Sequence, residues 1–249
     1  LLAADLPFQA EFIVVDDGSS DDTLARLRGI RDPRLRIARH PRNRGKGAAL
    51  LTGAELATGT HILPFDADRE YDPDDIPRLV APVIEGRAAV VFGSRTLGAN
   101  TVYQSFRYAM GNRAMTLMAN VLYDAALKDL HTCLKLVPVE LFRSLDLREH
   151  GFGLDTELTA GLLRVGVRPF GVPISYYSRT HDEGKKIGWR DAVDCVRILG
   201  RKRFDAPAAE VVGKAPRVWN TGPEHVRRRR FFDSASPAPA ARVGAPNLV

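Results

Sequence analysis

The sequence predicts an α/β fold built on a mainly parallel sheet, and three observations carry that expectation. Short runs rich in β-branched residues alternate with helix-length stretches through the first half of the chain. The first of them, Phe12 to Val15, is continuously apolar, as strands covered on both faces are. Carboxylates stand at their ends: Asp16 and Asp17 close one run, and Asp66 and Asp68 follow another. Ligands of open α/β sheets gather at the carboxyl ends of strands.

Taken in order, Phe12-Ile-Val-Val-Asp16 reads as a buried strand, and Ser20-Asp-Asp-Thr23 opens a helix. Arg34 to Ala38 alternates like a second strand, Gly45 to Ala57 reads as a helix, and Thr60 to Phe65 as a strand running into Asp66. Pro73 begins a helix at a position where its missing N–H costs nothing, and Ala88 to Phe92 is the next strand. The second half is less regular. Phe106 to Tyr123 and Leu154 to Val165 read as helices, Val167 to Tyr177 as extended, and Gly188 to Arg203 as a helix with Arg190, Arg197 and Arg201 along one stripe. Residues 1–204 form the expected domain. Residues 205–249, rich in Pro, Ala and Arg with the run Arg227–Arg230, read as a basic, disordered tail.

Composition narrows the functional classes. With 45% apolar and 27% charged residues the chain is an ordinary globular sequence. No apolar run approaches the roughly 18 residues that span a bilayer. The start lacks the pattern of a signal peptide, so a cytoplasmic protein is expected. Cys133 and Cys195 make no disulfide framework or zinc spacing. A net charge of +6 admits an anionic partner without choosing one, and on composition alone a basic surface with no partner is the favoured reading. Nothing resembles a nucleic-acid fold or an aromatic stacking surface, and no protein partner is inferred.

The carboxylates have the strongest chemistry. Asp66-Ala-Asp68 at a strand end offers hard oxygen ligands suited to Mg²⁺ or Mn²⁺, and such open sites often hold phosphate oxygens as well. A bare D-x-D is also a common solvated turn, so the context decides. Val14-Val-Asp-Asp-Gly-Ser-Ser-Asp21, Asn43-Arg-Gly-Lys-Gly47 and Phe65-Asp-Ala-Asp-Arg-Glu-Tyr-Asp-Pro73 follow one another at helix-sized gaps. Phe92-Gly-Ser-Arg95, Gly111-Asn112, Asp129 to Lys135, Gly151 to Glu157 and Tyr177 to Ile187 continue the series. Together these motifs resemble the family 2 glycosyltransferases with their GT-A fold, most closely the polyprenyl-phosphate sugar synthases of the dolichyl-phosphate mannose synthase group.

The resemblance implies a central, mainly parallel sheet with helices on both faces. Family members open with a strand and a P-x-Y-N-E-type loop, whereas Leu1 to Pro7 stands where their first helix finishes. An N-terminally truncated domain, short of part of its donor pocket, is therefore implied. The donor would be a nucleoside-diphosphate sugar, UDP- or GDP-linked, and the acceptor polyprenyl phosphate. Asp17 would contact the nucleoside and Asp68 the metal bridging the diphosphate, with Asp66 and Glu70 as further neighbours of metal or ribose. Lys46, on a glycine-flanked turn before a helix, is either a point charge near the nucleotide or a surface lysine.

Arg95, Arg107, Arg179 and Lys185 are candidates for the acceptor phosphate. Asp129, with Asp155 as rival, is a candidate catalytic base or orienting group; burial in an ion pair is the alternative for both. His131 and His181 carry no ligand spacing. Met110, Met115 and Met118 suit either core or a lipid groove. Three functions remain open: inverting transfer to polyprenyl phosphate at the cytosolic membrane face, transfer to a soluble hydroxyl acceptor, and a degenerate, non-catalytic nucleotide- or membrane-binding protein. An anionic membrane surface is a further partner, reached through the arginine stripe or the tail.

Overall fold

The computed structural model describes residues 1–97, 101–102, 105–177 and 189–205. The 205–249 tail beyond its first residue, including Arg227–Arg230, lies outside them, as do Arg179, His181 and Lys185. Strand β1 (Phe12–Asp16) pairs in parallel with β2 (Leu35–Arg39), Phe12 opposite Leu35 and Asp16 opposite Arg39, with helix α1 (Thr23–Gly29) between them. Helix α2 (Lys46–Leu56) follows and packs on β1. The strand expected over Thr60 to Phe65 is reduced to β3 (His61–Ile62). Pro73 opens one 3₁₀ turn (Pro73–Asp75), capped by the Asp72 carboxylate accepting from the Asp74 N–H, before α3 (Ile76–Ile84).

Next come β4 (Val91–Ser94), β5 (Thr101–Val102), α4 (Phe106–Tyr123), β6 (Lys135–Pro138), α5 (Val139–Ser144) and α6 (Leu154–Arg164). The chain then forms β7 (Phe170–Pro173), β8 (Tyr176–Tyr177) and α7 (Trp189–Phe204). Four strands form the central sheet in the order β3-β6-β4-β7. β4 and β7 are parallel, as are β1 with β2 and β5 with β8; β6 runs antiparallel to both of its neighbours. Parallel pairing thus predominates, but the centre is mixed. Strand β6 escapes a reading of the sequence because Lys135 interrupts its apolar run, and α5 because six residues are too few to show a helical period.

Side chains alternate across the sheet, so two cores form. Val90, Phe92 and Val137 meet Ala54 of α2, Phe142 of α5 and Leu162 of α6 on one face. Val91, Leu136 and Val172 meet Leu79 and Val83 of α3 on the other. Helices therefore cover both faces, each fully buried aliphatic side chain contributing about 1.5–3 kcal/mol. A third cluster joins α4, α6 and α7 through Ala119, Leu163 and Leu199. Of the methionines singled out, Met115 and Met118 pack against this cluster, while Met110 is 40% exposed.

A buried carboxylate ties α7 to the rest. Glu157, on α6, is fully shielded from solvent; it accepts from the Arg148 and Glu149 N–H groups at 2.7 and 2.8 Å. It also pairs with Arg201 at 3.1 Å and Lys202 at 3.0 Å. The expected arginine stripe is accordingly not one outward face. Arg201 and Lys202 turn to α6, Arg203 donates to the Leu122 carbonyl, and Arg197 is exposed; the Arg190 side chain lies outside the described residues.

Glu157→Ala leaves two backbone donors and two cations without their shared acceptor, which should cost about 3–5 kcal/mol. Urea denaturation followed by far-ultraviolet circular dichroism checks this. A loss below about 1 kcal/mol would mean that Glu157 acts like a surface partner.

Candidate active site

The loop after β3, residues 63–70, lies where two networks of charged side chains meet. The first is built by α2. Gly45 has φ +97°, and a Cβ there would stand 2.4 Å from the His150 carbonyl oxygen; one at Gly47 would meet the Glu149 carbonyl oxygen at 2.3 Å. Only glycine lets the start of α2 sit this close to the 149–150 backbone. Lys46 is thereby carried inward. Its ammonium donates to Asp66 at 2.8 Å and to Asp155 at 3.3 Å. Asp155 also faces Lys135, a fully buried lysine whose Nζ donates to the Asp155 carbonyl at 2.8 Å and lies 3.5 Å from its carboxylate.

Burial alone would push the Lys46 pKa down, but the Asp155 and Asp66 carboxylates outweigh it and hold it above its ordinary value. Lys135, buried deeper, is pushed below its ordinary value despite Asp155. Burial would raise Asp155; Lys135 and Lys46 hold it below the usual carboxylate range instead. Cys133, packed next to this cluster, has its thiol pushed up by burial.

The second network centres on Asp129, 3% exposed, which receives the Nε and Nη2 of Arg95 at 2.7 Å each. The Arg95 N–H and the Asn112 side chain add bonds at 3.1 and 2.9 Å. The Arg95 guanidinium lies 4.9 Å from the centre of the Tyr176 ring. The Tyr176 hydroxyl donates to Glu70 at 2.9 Å, and the Glu70 N–H donates to Asp68 at 3.1 Å. Burial would raise the Asp129 pKa; the Arg95 charge outweighs it and keeps it below the usual range.

Asp66 and Asp68 lie together on one loop, each attached to a different network. Glu70 is buried and engaged by Tyr176. Asp17 accepts from His40 Nδ1 at 2.6 Å and from the N–H groups of Arg44 and Gly45 at 2.9 and 2.7 Å, so it fixes the turn that launches α2. Against the effect of burial, these donors lower its pKa. Asp129 and Asp155 both stand in buried ion pairs, Asp129 with Arg95 and Asp155 with Lys46 and Lys135. Arg95, expected at the acceptor phosphate, instead commits Nε and Nη2 to Asp129. Arg107 is exposed on α4.

His131 bridges Asn112 and Thr156 at 3.2 Å each, and burial pushes its pKa down to about 4. Lys135, Tyr176 and His40 were not foreseen as parts of the site. A lysine inside a four-residue strand is the signal that could have revealed Lys135, since buried lysines are rarely unpaired.

Asp66 and Asp68 offer carboxylate oxygens of the kind Mg²⁺ or Mn²⁺ prefers. Among the described residues no group of three or more His, Cys, Asp or Glu side chains converges to complete a metal site. The donor set fits a cation whose other ligands are water or phosphate oxygens. Next to this loop opens a cavity of about 400 Å³, walled by Phe65, Asp66, Arg69, Tyr71, Asp72 and Tyr177 among others.

The family model described as Glycosyl transferase family 2 matches residues 2–145. An undecaprenyl-phosphate mannosyltransferase of Micrococcus luteus is 29% identical over 189 residues, covering 72% of this chain and 77% of that protein. The low-salt glycan biosynthesis hexosyltransferase Agl6 of Haloferax volcanii is 28% identical over 188 residues, covering 72% of this chain and 43% of that protein. Among solved structures, glucosyl-3-phosphoglycerate synthase from Mycobacterium tuberculosis, in complex with Mn²⁺, UDP and phosphoglyceric acid, aligns with a TM-score of 0.56 at 21% identity. That alignment covers 79% of this chain and 68% of the other, and it shows the GT-A fold that the sequence motifs imply.

Asp129→Ala strands the buried Arg95 guanidinium and should cost about 3–5 kcal/mol in chemical denaturation. Because the folded Asp129 pKa lies below the unfolded one, its contribution is fully present above about pH 4 and fades as pH falls through the folded value. The difference between wild type and variant should shrink accordingly below about pH 4. A difference unchanged down to about pH 2 would contradict the ion-pair assignment.

Proposed function

The chain belongs to glycosyl transferase family 2, and on that premise we propose that it moves a hexose from a nucleoside-diphosphate sugar, UDP- or GDP-linked, to polyprenyl phosphate with inversion at the anomeric carbon. One observation carries the choice of acceptor. Both candidate bases, Asp129 and Asp155, sit in buried ion pairs with depressed pKa values. A carboxylate so stabilised is a poor general base near neutral pH. A hydroxyl acceptor needs such a base. A phosphate monoester, with its second pKa near about 6, arrives already ionised and needs positioning and charge shielding. The Micrococcus relative, named for undecaprenyl phosphate, supports the same reading.

Asp68 and Asp66 would hold Mg²⁺ or Mn²⁺, which when bound neutralises charge growing on the departing diphosphate. Asp17 keeps the turn before α2 in the position that delivers Lys46. Lys46 balances Asp66 and Asp155, so the carboxylate-rich site tolerates an incoming anion. Through Arg95, Tyr176 and Glu70, Asp129 orients the loop carrying Asp68. Arg107, Arg179 and Lys185 remain the proposed phosphate-binding side chains. Residues 1–204 would be the catalytic unit and 205–249 its basic tail.

Transfer to a lipid acceptor requires approach to a membrane. Among the described residues no helix is long and apolar enough to cross one. Helix α4 offers a surface device: Phe106, Met110, Leu117 and Val121 are 77%, 40%, 64% and 76% exposed. They fall on one side of the helix at three- and four-residue multiples, with Arg107 and Arg113 also exposed. An apolar stripe flanked by arginines suits a helix lying in the headgroup region of an anionic bilayer. The opposite side of α4 carries Asn112, which contacts Asp129, so such docking would bring the lipid phosphate near the site.

Asp68→Ala, or excess chelator, should lower transfer of labelled sugar into an organic phase by at least about a hundredfold, with UDP-glucose and GDP-mannose tested as donors. Full turnover in either case would exclude the metal role. Replacing Leu117 and Val121 by Ser should weaken partitioning onto phosphatidylglycerol vesicles by at least about a hundredfold, as expected for the loss of two buried apolar side chains worth about 1.5 kcal/mol or more each. Unchanged binding would move the contact elsewhere.

A further inference from the structure

The loop that carries Asp66 and Asp68 also holds an arginine in an unusual backbone conformation. Arg69 has φ +64°, in the left-handed region that side chains with a Cβ seldom enter. Among the described residues the other non-glycine positions with positive φ are Asp124 and Asp146, whose short polar side chains tolerate that conformation, and Asp124 caps the end of α4. No such allowance applies to arginine. Its neighbours hold the backbone there: the Glu70 N–H is fixed on Asp68, the Glu70 carbonyl accepts from the Tyr177 N–H, and Asp66 is held by Lys46. Strain retained by a pinned loop is a feature of functional sites.

The strained backbone sets Arg69 in the wall of the cavity of about 400 Å³. It is the basic side chain among the described residues lining it. Two carboxylates share that wall, yet Arg69 makes no hydrogen bond or ion pair with a described residue. Asp66 is taken by Lys46, and Asp72 caps the 3₁₀ turn. Phe65, Tyr71 and Tyr177 give the cavity apolar, aromatic faces of the kind on which a sugar ring rests. A guanidinium presents a planar fork of donors that matches carboxylate and phosphate oxygens, which a lysine would not do.

We propose that Arg69 is an anion-recognition residue, set at the cavity to bind an oxyanion carried by the substrate that shares this space with the Asp66–Asp68 pair. The inference rests on the transferase reading. The oxyanion has two possible sources: the phosphate of the acceptor, or a carboxylate on the donor sugar, as in a uronic acid. The shared chemistry is a second anionic group, distinct from the donor diphosphate. Arg69 acts in selection, separating anionic from neutral substrates.

Calorimetric titration of the full chain with Mn²⁺ present tests this, comparing wild type with Arg69→Asn, a replacement that tolerates the left-handed backbone. UDP and GDP are titrated first; farnesyl phosphate and a matched donor pair follow, UDP-glucuronate against UDP-glucose, or GDP-mannuronate against GDP-mannose. Arg69→Asn should weaken either farnesyl phosphate or the uronate-bearing donor by at least about tenfold, leaving the free nucleotide and the neutral donor within about twofold. Loss confined to farnesyl phosphate assigns the acceptor phosphate, and loss confined to the uronate donor assigns the sugar carboxylate. No loss for either, or an equal loss for the free nucleotide, overturns the proposal. Failure of wild type to bind any nucleotide would instead count against the transferase reading, and the farnesyl phosphate comparison still decides the role of Arg69. Thermal unfolding of Arg69→Asn at or above the wild-type midpoint confirms that the variant is folded.

Discussion

Burying Asp155 between two lysines is the constraint on which the site depends. Lys46 reaches it from the start of α2, Lys135 from β6, and Asp155 itself sits in the first turn of α6. Removing any of these charges from water is costly, and each is tolerable only because an opposite charge stands within hydrogen-bonding range. The pairing therefore dictates how three separately folded pieces must meet. Gly45 and Gly47 are a consequence: α2 must approach the 149–150 backbone closely for Lys46 to arrive at all.

That arrangement explains why Asp66 and Asp68 behave as two halves of one site with different supports. Asp66 belongs to the lysine network, and Asp68 is oriented through Glu70, Tyr176 and Arg95 by Asp129. The chemistry that follows is positional. Carboxylates with lowered pKa values stabilise nearby positive charge and hold geometry, but accept protons poorly. An acceptor that is already an anion suits such a site, and under the proposed transfer charge balance would be the central requirement, since diphosphate and phosphate would share it. The same requirement gives meaning to Arg69, held in a strained backbone at the cavity wall without an ion pair among the described residues.

Helix α7 shows how a charge pattern on paper can mislead. Arg201 and its neighbours read as an outward basic stripe, yet Glu157, buried on α6, draws Arg201 and Lys202 inward. A desolvated carboxylate gains more from nearby cations than the solvent-exposed face of α7 could offer. The exposure of Phe106, Leu117 and Val121 on α4 is likewise decided by packing, because the sequence alone does not say which face of that helix meets the core.

Local information was enough for β1, α2, α4, α6 and α7, whose apolar runs and glycine signals lie within a few residues of one another. It was enough also for the carboxylates at strand ends and for the family motifs, since these are short, ordered and close in sequence. Tertiary structure decided what depends on distant partners. Strand β6 exists because β3 and β4 flank it, and its Lys135 is tolerable because Asp155, far along the chain, turns towards it. Whether Asp129 and Asp155 would be bases or ion-pair partners was likewise undecidable locally: a carboxylate's pKa is set by the charges that packing brings beside it and by the water that packing removes.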